Sequence, residues 1–273
     1  MIIDCFSYFN EKELLKLRLN LLYDQVDKFI ITEGSHTHKG IKKNFEAEEI
    51  IEQLGLSKEK ICVLRVDMPD YEAEKDPWVR ERMQRDAAAQ YIKEGDVAFY
   101  GDCDEIMNPE FIEYYSMLTR SNPNGILRVP LAYLSSSAKY RVHDLHGNQI
   151  NWRAPFMCMK HHLNKYTPSQ IRESHALGIH NLEFPDLLAY DNGIVEDAGW
   201  HFSWMGDFNR IKTKEESFLH WDEVKALNNF KPTENSSDVL GRRDHILKSY
   251  DLRNLPTKLF ELEDVRDFLI PNS

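Results

Sequence analysis

Asp102-Cys103-Asp104 places two carboxylates two residues apart, after the apolar run Val97-Ala98-Phe99-Tyr100 and a glycine. In extended backbone, residues i and i+2 point to the same side, so the two acids converge. Carboxylates so placed repel each other unless a cation neutralises them. Hard divalent ions such as Mn2+ or Mg2+ take oxygen ligands and keep positions for water and substrate phosphate. The pattern predicts a metal bridging to a diphosphate, and a solvated turn is the competing reading. A second dense segment runs Glu196-Asp197-Ala198-Gly199-Trp200-His201-Phe202-Ser203-Trp204. Strand alternation puts Trp200, Phe202 and Trp204 on one side, with His201 and Ser203 on the other. His201 reads either as a hydrogen-bonded core residue or, with acids just upstream, as part of a general-base or metal site.

The elements that must position these groups follow from the apolar pattern. Strands are expected at Ile2 to Phe6, Lys28 to Thr32, Ile61 to Val66 and Val97 to Tyr100, separated by helical stretches. Asn10 with Glu13 reads as a capping box for the first helix. Phe45 to Leu54 reads as a second helix, closed by Gly55. Asp76-Pro77 opens a long third helix that Gly95 ends. Strand and helix in alternation predict an α/β fold with a mostly parallel central sheet flanked by helices. Beyond Asn108 the expectation is a helix from Pro109 to Leu118, then strands over Gly125 to Leu134, Ala138 to Val142, Ala154 to Met159 and Ala198 to Trp204. A helix over about Asp207 to His220 follows. Residues 1–230 read as one domain with an elaborated second half, and 231–273 as a C-terminal helical tail packed on it, with a peripheral helix over Asp238 to Tyr250.

Ligands of open parallel sheets bind beyond the carboxyl ends of the strands. Those ends carry Ser7 to Asn10, Thr32-Glu33, Asp67 and the Asp102–Glu105 segment. The helix after Pro77 carries Trp78, Arg80, Glu81, Arg82, Gln84 and Arg85. That set reads either as ordinary surface ion pairing or as guanidinium forks for phosphate.

The 273 residues carry 34 Lys+Arg against 45 Asp+Glu, a formal charge of −11. An acidic balance argues against nucleic-acid and anionic-membrane partners, which need a basic excess. No apolar run approaches the roughly 20 residues of a membrane span, and the opening Met1-Ile2-Ile3-Asp4 does not read as a secretion signal. Four cysteines without CxxC spacing argue against zinc and disulfide frameworks. A cytoplasmic protein with no integral membrane segment is expected.

Taken together, several segments resemble glycosyltransferase family 17, whose animal members are β-1,4-N-acetylglucosaminyltransferases. They are Ile3 to Glu11, Phe29 to Gly34, Trp78-Val79-Arg80-Glu81 with Gln84-Arg85-Asp86, and Asp102 to Ile106. Ala198 to Trp204 completes them, with Lys214, Ser217, Phe218 and His220 beyond. The resemblance implies a GT-A-like (Rossmann-like) fold, a nucleotide-sugar donor (UDP-GlcNAc in the animal enzymes), a glycan or other hydroxyl acceptor, Mn2+ or Mg2+, and inversion at the anomeric carbon. It also implies that Arg80, Gln84 and Arg85 face the ligand.

On that basis Asp104 holds the metal, helped by Asp102 through the ribose or a metal-bound water, with His201 as third ligand. Asp197, and next Glu196, are the expected general bases. Arg85 and Lys214 neutralise phosphate, while Thr32, Glu33 and Asp67 line the nucleotide pocket. Trp200 or Trp204 offers a platform for a sugar face. A metal-dependent nucleotidyltransferase or phosphohydrolase, and a non-catalytic nucleotide-sugar-binding module, are the alternatives. A haloacid-dehalogenase arrangement fits less well, because its acidic pair ends the first strand.

Overall fold

A computed structural model describes residues 1–174, 188–190, 193–217, 232–237, 242 and 244–271. The chain opens with strand β1 (Ile2–Tyr8), helix α1 (Lys12–Leu22), β2 (Lys28–Gly34), α2 (Ala47–Leu54), β3 (Ile61–Val66), α3 (Pro77–Asp86) and β4 (Val97–Asp102). There follow β5 (Glu105–Met107), α4 (Pro109–Ser121), β6 (Gly125–Arg128), β7 (Leu131–Ser135), β8 (Tyr140–Asp144), β9 (Asn151–Trp152) and β10 (Phe156–Met159). Next come α5 (Lys160–Leu163), α6 (Pro168–Glu173), β11 (Leu188–Tyr190), β12 (Gly199–Ser203) and α7 (Phe208–Ser217). The described chain closes with β13 (His245–Ser249), α8 (Thr257–Glu261) and α9 (Glu263–Leu269).

Two sheets result. The central one has the order β11-β6-β10-β4-β1-β2-β3. β1 pairs in parallel with β2 and β4, and β2 with β3, while β10 runs antiparallel to both β4 and β6. The expected α/β, mostly parallel architecture is therefore present. Buried strands such as Phe29-Ile30-Ile31 need cover on both faces, which the crossover helices give. The second sheet runs β13-β8-β7-β12-β5, with β9 on β7.

Two of the passages between the sheets are two-residue junctions. β4 ends at Asp102 and β5 begins at Glu105, so the acidic segment is itself a junction. The second lies at Val129-Pro130, between β6 and β7. One continuous strand was expected there, but proline cannot donate to a ladder and splits it.

Local chemistry moved other boundaries. Asp76 caps α3 by accepting the Trp78 N–H at 3.0 Å, as the sequence predicts. The helix stops at Asp86, however, and a 3-10 turn over Ala87–Tyr91 replaces its expected second half. Glu11, not Asn10, occupies the cap position of α1, and its carboxylate accepts the N–H groups of Phe9 and Asn10 at 3.1 and 3.2 Å. In the tail, β13 stands where a helix over Asp238 to Tyr250 was expected. It pairs antiparallel with β8 and buries Leu247 against Tyr133 and Val142. The tail's helices α8 and α9 pack on α1, and Lys16 meets Asp264 at 2.6 Å. The end of the expected helix at Phe218 to His220 lies outside the described residues.

The junction at Asp102–Glu105 is fastened from below. Asp4 of β1 and Arg18 of α1 are 1 % and 0 % exposed. Their fork closes at 2.8 Å (Nε to Oδ2) and 2.6 Å (Nη2 to Oδ1). Arg18 Nη1 donates to the carbonyls of Asp102 (2.6 Å) and Glu105 (3.0 Å), at the two ends of the crossing. The guanidinium also lies 4.1 Å from the Phe6 ring centroid. An ion pair so enclosed gains little over apolar packing, but removing one partner strands the other.

Arg18→Met is therefore expected to lower unfolding free energy by about 3–5 kcal/mol. Adding Asp4→Leu should recover part of that loss. Urea unfolding of the single and double variants measures both, and a loss under about 1 kcal/mol for Arg18→Met would contradict the enclosed-pair argument.

Candidate functional site

At the carboxyl ends of β1 and β4 lies a cleft of about 430 Å3. The strand register sets Ser7 beside Asp102, so the loop after β1 and the β4–β5 junction form adjoining walls. Trp78, Glu81, Gln84 and Arg85 of α3, Tyr133, Trp152, Arg172 of α6, His201, Trp204 and Lys214 of α7 complete much of the lining.

Three acids from the junction meet three kinds of partner. Asp102 accepts from Arg172 Nη2 at 2.6 Å and from Arg85 Nη2 at 3.4 Å. Burial pushes its carboxyl up, but Arg172 and then Arg85 outweigh that and hold it well below the usual carboxylate range. Glu105, 0 % exposed, takes the Arg172 fork at 2.9 and 2.6 Å, the Asp102 N–H at 2.7 Å and the Trp152 indole N–H. Asp104 is different. Its Oδ2 faces Lys214 Nζ at 3.0 Å, and its Oδ1 faces His201 Nε2 at 3.7 Å.

The His201 ring packs beside two others, with centroids 4.7 Å from Trp152 and 5.1 Å from Tyr133, both stacked. Burial lowers its pKa first and foremost, and the neighbouring acids only partly oppose this, so the imidazole is neutral near pH 7. Its buried Nδ1 has no hydrogen-bond partner among the described residues. Lys214 titrates the other way: burial opposes its charge, yet Asp104 and then Glu11 hold the ammonium above the ordinary lysine value.

A cation fits one part of this set. Ligand atoms of Asp104, Glu105 and His201 lie within 4.8 Å of one another. The oxygens of Glu105 are already engaged by Arg172, Trp152 and the Asp102 N–H, whereas the gap from Asp104 Oδ1 to His201 Nε2 is too long for a hydrogen bond. A neutral imidazole nitrogen and a carboxylate oxygen at that separation suit two positions on one small divalent ion.

The expected convergence of Asp102 and Asp104 on one cation does not occur. Cys103 and Asp104 form a turn, not extended backbone, and the rule of same-side alternation lapses there. The turn sends Asp102 to the arginines and Asp104 to His201 and Lys214.

Of the other sequence-predicted residues, Gln84, Arg85, Lys214 and His201 line the cleft. Thr32, Glu33, Asp67 and Arg80 do not. Glu33 is spent inside the fold, pairing with Lys43 at 2.8 Å and accepting the N–H groups of Glu46 and Ala47 at the start of α2. Thr32 is buried, and its carbonyl accepts from Gln84 at 2.8 Å. Arg80 ties two loops together through the carbonyls of His38 (2.5 Å) and Glu74 (2.6 Å). Asp67 accepts from Ser35 at 3.1 Å on the surface.

Asp197 and Glu196, the expected bases, also lie off the cleft. Asp197 has a left-handed backbone (φ +58°) and closes a fork on Arg141 at 2.6 Å twice. Glu196 pairs with Arg153 and Asn151. Both precede β12, whereas His201 and Ser203 reach the cleft farther along the strand. Trp200 and Phe202 enter the core as alternation predicts, but Trp204 (φ +55°) turns the chain and lines the cleft instead. Arg172 and Trp152 carried no signal in the sequence reading, because only tertiary packing brings them to Glu105.

Glu105→Gln should lower stability by about 1.5–3 kcal/mol, the worth of a hydrogen bond to a charged group. Thermal or urea unfolding measures it, and no loss would make Arg172 independent of Glu105.

The sequence model for glycosyltransferase family 17 matches residues 1–177. No curated protein sequence matches. Among solved structures, the chain is similar to S. aureus TarS 1-349, with a TM-score of 0.37 and 11% identity over 60% of this chain. It spans 48% of that fragment, about half its length. It is also similar to 4-diphosphocytidyl-2C-methyl-D-erythritol synthase, with a TM-score of 0.40 and 13% identity over 71% of this chain and 91% of that one. Likeness at this level assigns nothing by itself. The family match takes in β1 through α6, and with them the acidic junction, Arg85 and Arg172. The chain belongs to glycosyltransferase family 17.

Proposed function

We propose that this chain transfers a sugar from a nucleotide-sugar donor to a hydroxyl acceptor, with inversion at the anomeric carbon. Family membership supports the transferase reading. UDP as the nucleotide and N-acetylglucosamine as the sugar follow from the resemblance of the motifs. The observation that carries the proposal is the 3.7 Å gap between Asp104 Oδ1 and His201 Nε2 in a cleft that also gathers Arg85, Arg172 and Lys214.

Asp104 and His201 would hold Mn2+ or Mg2+, with Glu105 behind them. Bound there, the ion supplies Lewis acidity to a leaving diphosphate. Lys214, anchored on Asp104, sets a fixed positive charge beside the same phosphates. Arg172 orients Asp102 and Glu105, so neither swings when a ligand enters. Trp152 and Tyr133 wall the site with apolar rings and exclude water around the reacting centre.

In direct displacement the acceptor oxygen bonds to the anomeric carbon as the bond to the diphosphate breaks, and the acceptor proton passes to a carboxylate. That carboxylate has to line the cleft. Asp102, Asp104 and Glu105 are held by cations, Glu81 by Arg85, and Glu11 accepts two backbone N–H groups. Glu173 stands at the rim, 41% exposed, in a surface pair with Arg82 that releases at little cost. We assign it the base.

UDP with Mn2+ should raise the melting temperature of the wild-type protein, and Asp104→Asn should lose the part of the shift that needs Mn2+. A Mn2+-dependent shift that survives in that variant removes the cation assignment. Glu173→Gln should lower kcat by about 10²–10⁴-fold with little change in donor KM. Asp197→Asn should leave kcat within a few-fold, and steady-state kinetics with UDP-GlcNAc decides between the two carboxylates.

A further inference from the structure

The face of α3 that lines the cleft carries Trp78, Glu81 and Arg85. Spacings of three and four residues place them on one side of the helix. Glu81 and Arg85 pair through Glu81 Oε1 and Arg85 Nη2. That pairing leaves Glu81 Oε2 and Arg85 Nε buried with no hydrogen-bond partner among the described residues. The Arg85 side chain is 6% exposed.

These two atoms define the chemistry of what meets them. A carboxylate oxygen only accepts, and a guanidinium nitrogen only donates. A phosphate would satisfy Arg85 Nε but would face Glu81 and Asp102 as like charges. A hydroxyl group both donates and accepts, so adjacent hydroxyls can answer both atoms at once. A pyranose carries such hydroxyls around its edge and apolar C–H groups on its faces, and Trp78 adds an aromatic side chain to the same stripe. We propose that Trp78, Glu81 and Arg85 form the subsite for the transferred pyranose, with Glu81 setting which sugar is accepted. The proposal rests on the reading of the cleft as a nucleotide-sugar site and adds to it the part of the donor that α3 contacts.

Ribose offers hydroxyls too, so the test separates the two sources. Isothermal titration calorimetry compares UDP with UDP-GlcNAc, each with Mn2+, on wild-type protein and on Glu81→Gln. The amide keeps the size of the side chain but loses the charge that a sugar hydroxyl donates to. The expected result is a UDP-GlcNAc Kd raised about tenfold or more, the scale of one lost hydrogen bond to a charged group, with the UDP Kd unchanged within about twofold. Trp78→Leu should shift the same ratio in the same direction, and it serves if Glu81→Gln does not fold. Equal weakening of UDP and UDP-GlcNAc would place ribose or base on α3 and overturn the proposal, as would an unchanged UDP-GlcNAc Kd. If wild-type protein binds neither compound, the donor-site reading itself fails and takes the subsite with it.

Discussion

The enclosed fork between Asp4 and Arg18 is the contact on which the rest of the site depends. Helix α1 lies against the central sheet through leucines, and Arg18 reaches between them to the carbonyls at both ends of the β4–β5 crossing. Those carbonyls lie where the chain leaves one sheet and enters the other. An arginine can satisfy both while its other nitrogens hold a carboxylate, because its donors form a rigid planar fork. A lysine could not. The placement of Asp102, Asp104 and Glu105 follows from where this fork holds the turn.

Above that anchor the cleft is a set of compensated charges. Asp102 and Glu105 share Arg172, Asp102 also meets Arg85, and Asp104 leans on Lys214. In a low-dielectric cleft, unmatched carboxylates would drive one another towards protonation. The arginines keep Asp102 ionised, while burial keeps His201 neutral. One part of the site thus offers a carboxylate and a neutral imidazole, while another carries fixed positive charge. Groups of opposite character are gathered within one cavity by the order in which the chain brings these side chains together.

Much of this was legible in the sequence, and the exceptions share a cause. Alternating apolar runs and helical stretches gave the parallel half of the central sheet, since period and punctuation are local signals. Asp104, His201, Arg85 and Lys214 stood out through type, position and resemblance. Glu33 stood out for the same reason and proved to be a helix cap, because a strand end cannot tell a ligand-facing carboxylate from one turned towards backbone N–H groups. Arg18 and Arg172 went unnoticed: each reaches the Asp102–Glu105 junction from far along the chain, and nothing in their neighbours marks them as buried. Pro130 did mark the break between β6 and β7, yet the apolar residues around it read as one strand. The strand β13 was hidden by a polar sequence whose pairing with β8 is decided by a distant edge.

Gly199 shows how far the control of this centre extends. A Cβ built there would sit 2.2 Å from the Ile106 carbonyl oxygen and 2.7 Å from the Met107 Cα. The missing side chain is what lets β12 lie close against β5 where Gly199 pairs with Met107 and His201 with Glu105. The imidazole therefore owes its nearness to Asp104 to steric clearance two residues away as much as to any polar attraction. The placement of His201 in this cleft is tuned by a volume that a side chain would fill and a lone hydrogen leaves clear.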